Sequence, residues 1–499
     1  MGVQTDLTSG FEPSGVRRRA TADVLSSSDK LFLAVDVGAS NGRHILGRLE
    51  DGCIRLEEVH RFANGMKHIE GHLCWDVDEL FSEILTGLRK CAQLGKTPVS
   101  VGIDTWGCDF ILLDSNGSRV GPAVAYRDSR TDGIDADVSK LITEPELYAR
   151  TGIQRQLFNT IYQLMALKTK TPHILEKAAR FLMMPDYLHY RLSGVMKTEY
   201  TDATTTGLVN AASKNWDDEV IARCGFPRKL FGEIVPAGTA LGGLAEDVRQ
   251  SVGFDCTVFL PPTHDTASAF LAVPAKSDSA VYISSGTWSL MGVELTEPIT
   301  SEASRAANLT NEGGYEYRFR FLKNIMGLWI LQSVHKEIGG GLSFPELTAL
   351  AEASDCDCIF DVNEECFFSP DSMVETVRKA CRDIPANGAK GKPPQSPGDF
   401  ARCILRSLAS SYAQTALELQ SLTGKSFSSI NIIGGGSENG FLNKMTAIAC
   451  GLPVYAGPAE GTALGNIASQ MIGHGILPSL EEARKIINRS FNIREVLPY

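Results

Sequence analysis

Three acids and two glycine turns are the residues of this chain whose types and spacing could carry chemistry. Asp36 lies at the end of the apolar run Leu31 to Val35 and opens Asp36-Val37-Gly38-Ala39-Ser40-Asn41-Gly42-Arg43. Ser284-Ser285-Gly286-Thr287-Trp288-Ser289 follows a second such run, Val281-Tyr282-Ile283. In both places a small turn rich in Gly, Ser or Thr leads into another β-like run, Arg43 to Leu49 and Leu290 to Glu294. With no Cβ in the way, the backbone N–H groups of such a turn can converge on an anion. Each alone also fits an ordinary hairpin, since Asn-Gly is the strongest short-range hairpin signal. Two of them point to a phosphate held between two halves of one molecule.

Asp104 follows the buried-type run Val99 to Ile103, and Asp265 sits just past Thr257 to Leu260, where a helix is expected to start. Taken singly, an acid in such a place is a cap or turn residue. Three of them at strand C-termini beside a phosphate turn match the edge where open α/β sheets bind ligands. Asp265, flanked by His264 and Thr266, is the best general-base candidate, a carboxylate at the bottom of a cleft. Asp36 and Asp104 suit Mg²⁺, which takes one or two carboxylates, often through water, plus substrate phosphates.

Several familiar nucleotide and nucleophile motifs fail. Gly424-Lys425-Ser426 ends like a P-loop, but Leu419 stands where the earlier glycine belongs. Gly434, Gly436 and Gly440 miss the dinucleotide fingerprint by one residue. Asn439 stands where a nucleophile elbow at Ser437 needs Gly. A protein that handles ATP with this sequence uses another architecture.

The elements that must position these residues begin as a β-meander. Leu31 to Val37, Arg43 to Leu49 and Cys53 to Val59 read as strands separated by Asn-Gly and Asp-Gly turns. Val77 to Ala92 carries Leu80, Phe81, Ile84, Leu85 and Leu88 at helical spacing, and Val99 to Ile103 and Phe110 to Leu113 are strands again. In this order the first glycine turn joins two antiparallel strands, unlike the strand-to-helix turn of a nucleotide-binding βαβ unit. Tyr162 to Lys168 and Phe181 to Arg191 read as helices, and His264 to Val273 as a helix entered through Pro261-Pro262-Thr263. A second meander opens at Val281, so the domain boundary is expected there, with units over residues 31–277 and 278–499. The stretch 385–397 is Gly/Pro/Lys-rich and expected to be exposed. Ser396-Pro397-Gly398-Asp399 then has the form of a helix start, with Ser as cap and an acid three residues on. Ile430 to Ile433 is a strand, and Gly461 to Met471 is a helix expected to close the second domain.

Bulk properties bound the class. At 499 residues the chain exceeds the size at which one core stops growing. A net charge of -11 argues against nucleic-acid or anionic-membrane partners, and no apolar run is long enough to span a bilayer. The first 30 residues are Ser/Gly/Thr-rich, with no secretory signal, and are expected to be a disordered extension. Among the 12 cysteines, Cys356-Asp357-Cys358 with Cys366 is the one cluster, and no histidine follows at a zinc-ligand interval. The expectation is reduced thiols in a cytoplasmic protein.

At this point a resemblance becomes specific. VDVGASNGR (35–43), GIDTWGCDF (102–110), AYRDSRT (125–131), MPDYLHYRLSG (184–194), HDTASA (264–269) and YISSGTWSLMGVE (282–294) resemble the large carbohydrate-kinase family that includes glycerol, xylulose and fucose kinases. NLTNEGG (308–314), LKNIMGLW (322–329), QSPGDFARCIL (395–405) and GGGSENGFLN (434–443) extend the likeness from about Leu31 to the C-terminus. The family implies an α/β fold of two ribonuclease-H-like domains of the actin and hexokinase type, with the active site in the cleft between them. It implies ATP as co-substrate with Mg²⁺, and Asp265 as the base that deprotonates the sugar hydroxyl. Ala39, Ser40, Asn41, Gly42 and Arg43 become the first phosphate loop and Thr287 part of the second, with Gln332 and Gly435 holding the nucleotide. Gly107, His264, Thr266 and Asn324 become contacts to a ketose, with Trp106 a neighbour. The GIDTWG segment is most like that of members acting on L-rhamnulose, which implies formation of L-rhamnulose 1-phosphate. Another ketose such as L-fuculose or xylulose, or a non-catalytic ATP-binding sugar sensor, stays open. The implied partners are small molecules, with the protein a monomer or small homo-oligomer.

Overall fold

A computed structural model describes residues 30–275, 277–338, 340–368, 370–383 and 392–499. The extension expected over residues 1–30 lies, up to residue 29, outside the described residues, as does 385–391 of the exposed stretch.

The first meander forms as expected: β1 (Phe32–Val37), β2 (Asn41–Glu50) and β3 (Cys53–Ala63), then α1 (Val77–Gln93) and β4 (Ser100–Thr105). Every residue of β1 and β4 is buried, as suits central strands covered on both faces. With β5 (Thr239–Gly242) and β6 (Thr257–Leu260) they make a six-stranded sheet in the order β5-β6-β4-β1-β2-β3. β1 is antiparallel to β2 and parallel to β4, and that register sets Asp36 opposite both Arg43 and Asp104. β2 starts two residues earlier than expected, so the turn proper is Gly38 to Ser40, closed by the Gly38 N–H donating to Asn41 O at 2.9 Å. α2 (Asp265–Leu271) follows β6.

The second sheet repeats the plan. β7 (Ala280–Ser285), β8 (Trp288–Leu295), β9 (Thr310–Gly313) and β10 (Phe319–Met326) are followed by α3 (Trp329–Ile338) and the long α4 (Pro397–Thr423). β11 (Ser429–Ile433), α5 (Gly440–Cys450), β12 (Val454–Ala456), α6 (Gly461–Gly473), α7 (Leu480–Ser490) and β13 (Arg494–Val496) complete it, in the strand order β9-β10-β8-β7-β11-β12-β13. β7 pairs antiparallel with β8 and parallel with β11, as β1 does with β2 and β4. α4 begins as read from sequence: the Ser396 side chain accepts from Asp399 N–H while the Asp399 carboxylate accepts from Ser396 N–H.

Two expectations need correction. Residues 181–191 are not one helix: Arg180–Met183 is a strand antiparallel to Phe110–Leu113, and the helix is Met184–Ser193. Pro185 in the first helical turn sets the start, and extended Met183 (φ −61°, ψ 160°) precedes it. α6 does not close the second domain alone. It lies on the first sheet, where Asn466 Nδ2 donates to Gly102 O (3.1 Å) and Gln470 Nε2 to Leu33 O (2.9 Å). There α6 crosses α2 so closely that a Cβ on Gly465 would sit 1.7 Å from Ser268 O, which leaves room for glycine alone. The two halves are therefore joined through a packed helix crossing as well as through the chain.

Candidate active site

The C-terminal edges of the central strands of both sheets open into one cavity of about 490 Å³. Its floor is Asp265 at the first turn of α2, reached from β6 through Pro261-Pro262-Thr263. That loop is held by buried Glu199, whose carboxylate accepts from Thr263 N–H (3.0 Å) and Thr263 Oγ1 (2.8 Å). Thr266 Oγ1 donates to Asp265 Oδ1 at 2.9 Å. Burial, and then the nearby Asp36 charge, push the Asp265 carboxyl up to about 6.

Arg320 of β10 is completely buried, with Nη2 3.1 Å from Glu312 Oε2 and 3.0 Å from His264 Nδ1. Burial, then the Arg320 charge, hold His264 well below its ordinary value, so its ring is neutral. Since guanidinium only donates, Nδ1 is the accepting nitrogen and the proton sits on Nε2, which lies 3.5 Å from Asp265 Oδ1. His264 thus presents an N–H to the cavity beside the carboxylate.

A second buried acid arranges the opposite wall. Asp109 Oδ2 accepts from the indoles of Trp75 (2.6 Å) and Trp106 (2.9 Å), and the two rings lie 4.0 Å apart. Trp106 is thereby fixed facing the cavity next to Gly107 and Cys108. Cys108 has φ +73°, and its N–H donates to Thr205 Oγ1 at 3.0 Å. A backbone strained in this way belongs to a site that the surroundings over-determine. Asn324 Nδ2 donates to Gln154 Oε1 at 3.1 Å, and Gln154 Nε2 is buried without a protein partner.

The second-domain wall carries the turn Ser284 to Trp288, Gln332 of α3, Gly434 and Gly435. The parallel pairing Ser284↔Ile433 brings the two turns together. A Cβ on Gly436 would lie 2.0 Å from Ser285 Oγ. Beyond Gly286, Gln332 and Gly435 a more apolar slot of about 570 Å³ continues between Leu328, Leu331 and Phe344. Arg43 spans the entrance, donating to Asp36 Oδ2 at 2.6 Å and pairing with Glu460 beside α6.

Of the residues singled out from sequence, Asp36, Ala39, Ser40, Asn41, Arg43, Gly107, His264, Asp265, Thr266, Thr287, Asn324, Gln332 and Gly435 line this cavity together, with Trp106. Gly42 and Asp104 do not. Gly42 is buried on β2 against the Phe62 ring. Asp104 is fully buried behind Asp36, its Oδ2 accepting from Asn466 Nδ2 at 2.6 Å, and burial and the Asp36 charge raise its carboxyl far above the usual range. Arg320, Glu312, Gln154 and Asp109 had no separate signal. Asp109 and Glu312 lay inside recognisable segments, but only the fold shows what they touch.

The family model for the N-terminal domain of the FGGY family of carbohydrate kinases matches residues 31–272, and that for its C-terminal domain matches 281–474. The chain is 45% identical over 461 residues to a rhamnulokinase of Oceanobacillus iheyensis, covering 92% of this chain and 97% of that one. It is 46% identical over 462 residues to a rhamnulokinase of Halalkalibacterium halodurans, covering 93% and 97%. Among solved structures, a ligand-bound xylulose kinase from Lactobacillus acidophilus superposes with a TM-score of 0.77 at 16% identity, covering 94% of each chain. A glycerol kinase from Plasmodium falciparum with ADP gives 0.72 at 15%, again over 94% of each. The two sheets of like topology, the cleft between them and these matches lead to one conclusion: the chain belongs to the FGGY family of carbohydrate kinases.

Proposed function

We propose that this protein transfers the γ-phosphoryl group of ATP to the 1-hydroxyl of L-rhamnulose. The observation that carries this reading is the Asp265 carboxylate in a cavity lined by both glycine turns, in a chain 45–46% identical to rhamnulokinases. The sugar occupies the end of the cavity near Trp106, Gly107, His264 and Asn324, and the nucleotide the end near Thr287, Gln332 and Gly435. Asp265 accepts the proton of the attacking hydroxyl, and the His264 Nε2–H orients that hydroxyl or a neighbouring one. A loose phosphoryl-transfer transition state needs alignment and charge neutralisation above all, which the turn N–H groups and Arg43 supply. Closure of the halves about the α2–α6 crossing excludes the water that competes for the phosphoryl group.

The donor set suits a hard cation: Asp36 offers only oxygen, and phosphate oxygens and water complete the shell. Asp36 is the residue that would hold Mg²⁺, with Asp104 supporting it from behind, and the ion would neutralise charge on the phosphates.

Because a base works only when ionised, kcat/KM is expected to be full above pH about 6 and to fall tenfold per unit below it. Asp36→Asn, which removes the second-largest cause of the raised value, is expected to move that limb to lower pH whatever it does to the maximum. A pH–rate profile with no acid limb between pH 4 and 8 would exclude Asp265 as the titrating base.

Substrate choice is tested by initial rates of ADP release with L-rhamnulose, L-fuculose and xylulose. L-Rhamnulose is expected to give the highest kcat/KM. A higher value for either other ketose would replace the substrate, and no ADP release with any of them would favour a sensor that keeps the clamp without turnover.

A further inference from the structure

The cysteines regroup in the fold. Cys366 is exposed and away from the Cys356-Asp357-Cys358 pair, whereas Cys381, on the helix Met373–Asp383, and Cys403, on α4, come to it. Cys358, Cys381 and Cys403 are buried, with their sulfurs all within 4.8 Å of one another. The Cys381 and Cys403 sulfurs lie 3.4 Å apart. Cys356, half-buried at the rim two residues before Cys358, lies outside that group, its Sγ 3.9 Å from Lys392 O. Among the described residues Cys358, Cys381 and Cys403 are the one group of three or more His, Cys, Asp or Glu side chains with ligand atoms so close together.

Four sulfurs around a tetrahedral Zn²⁺ at about 2.3 Å stand about 3.8 Å from each other. For Cys358, Cys381 and Cys403 that spacing falls between the 3.4 Å contact and the 4.8 Å limit, and Cys356 supplies the fourth sulfur by turning in from the rim. A four-thiolate zinc site carries net negative charge and needs cationic neighbours around it. The Arg402 and Arg406 side chains both donate to Cys356 O, at 3.0 and 3.3 Å.

We propose that Cys356, Cys358, Cys381 and Cys403 form a structural site for a soft, four-coordinate divalent cation of the zinc class. Binding displaces the thiol protons to solvent and ties two helices to the segment that follows Cys358. That segment, from Phe360 to Phe368, walls a larger cleft of about 980 Å³ that adjoins the candidate active site. At its far end Phe368 O accepts from Arg127 (3.2 Å), and the Phe368 ring stacks on Phe158 at 6.3 Å, bridging the halves of the molecule. The site therefore anchors the root of a wall without touching substrate.

The test uses the full chain, purified under reductant and stripped of metal, then titrated with Co²⁺. The expected result is one Co²⁺ per chain, with thiolate-to-cobalt charge-transfer absorption and tetrahedral ligand-field bands, displaced by Zn²⁺ and accompanied by a rise in Tm. Cys358→Ser should lose the bands and Cys366→Ser should keep them. If Cys358→Ser fails to fold, mercurial titration of the unaltered zinc-loaded chain decides, with one Zn²⁺ released per chain expected. Reduced protein that binds no Co²⁺ would overturn the proposal. So would protein isolated without reductant that holds no metal and shows two thiols fewer than after reduction, the signature of a cystine.

Discussion

Asp265→Asn is expected to lower kcat by about 10²–10⁴-fold, the usual range for loss of a general base, while ATP binding persists. The substitution is nearly isosteric, and the amide oxygen still accepts from Thr266 Oγ1. What disappears is the group proposed to take the sugar proton as the oxygen attacks. Since that demand arises only in the transition state, kcat and kcat/KM should fall together. Steady-state kinetics with ketose, and calorimetric titration with ATP, separate the effects. Turnover within a few-fold of the unaltered enzyme would remove the assigned role. Loss of ATP binding as well would indicate a collapsed cavity.

Arg320→Met is expected to be the most damaging single change to stability, at about 3–5 kcal/mol. Arg320 has no exposed surface, and it pairs with Glu312, donates to Gly313 O at 2.8 Å and orients His264. Methionine fills much of the volume but leaves Glu312, itself 6% exposed, as an uncompensated buried charge. Urea unfolding monitored by tryptophan fluorescence measures the loss. A second readout separates positioning from bulk stability. The Arg320 charge lowers the Asp265 carboxyl, so its removal should shift the acid limb of kcat/KM to higher pH. A destabilisation under about 1 kcal/mol would mean that the Glu312–Arg320 pair contributes little.

Much of the architecture was legible because it is locally encoded. The β1-β2-β3 meander follows from apolar runs broken at Gly38 to Ser40, just before the expected Asn41-Gly42 turn, and at Asp51-Gly52, and α4 from a complete capping signal at Ser396. Misreadings arose where a local pattern was ambiguous or its partner was distant. Phe181 to Met183 is short and apolar, compatible with helix or strand, and only pairing with Phe110 to Leu113 decides it. Gly461 to Met471 was readable as a helix, but not as one that seats Asn466 and Gln470 in the first sheet.

The candidate site divides along the same line. The chain read residue by residue shows which positions end strands beside glycine turns, because turn chemistry and strand periodicity act over a few residues. It therefore identified Asp36, Asp104 and Asp265, and two turns fit for phosphate. How they meet depends on the fold. Strand register put Asp104 behind Asp36 instead of on the wall, and burial beside Asp36 raised the Asp265 carboxyl. Packing of residues far apart in the chain brought Arg320 to His264 and Cys381 and Cys403 to Cys358. Desolvation and charge coupling depend on what surrounds a group in three dimensions, and no spacing along the chain records that.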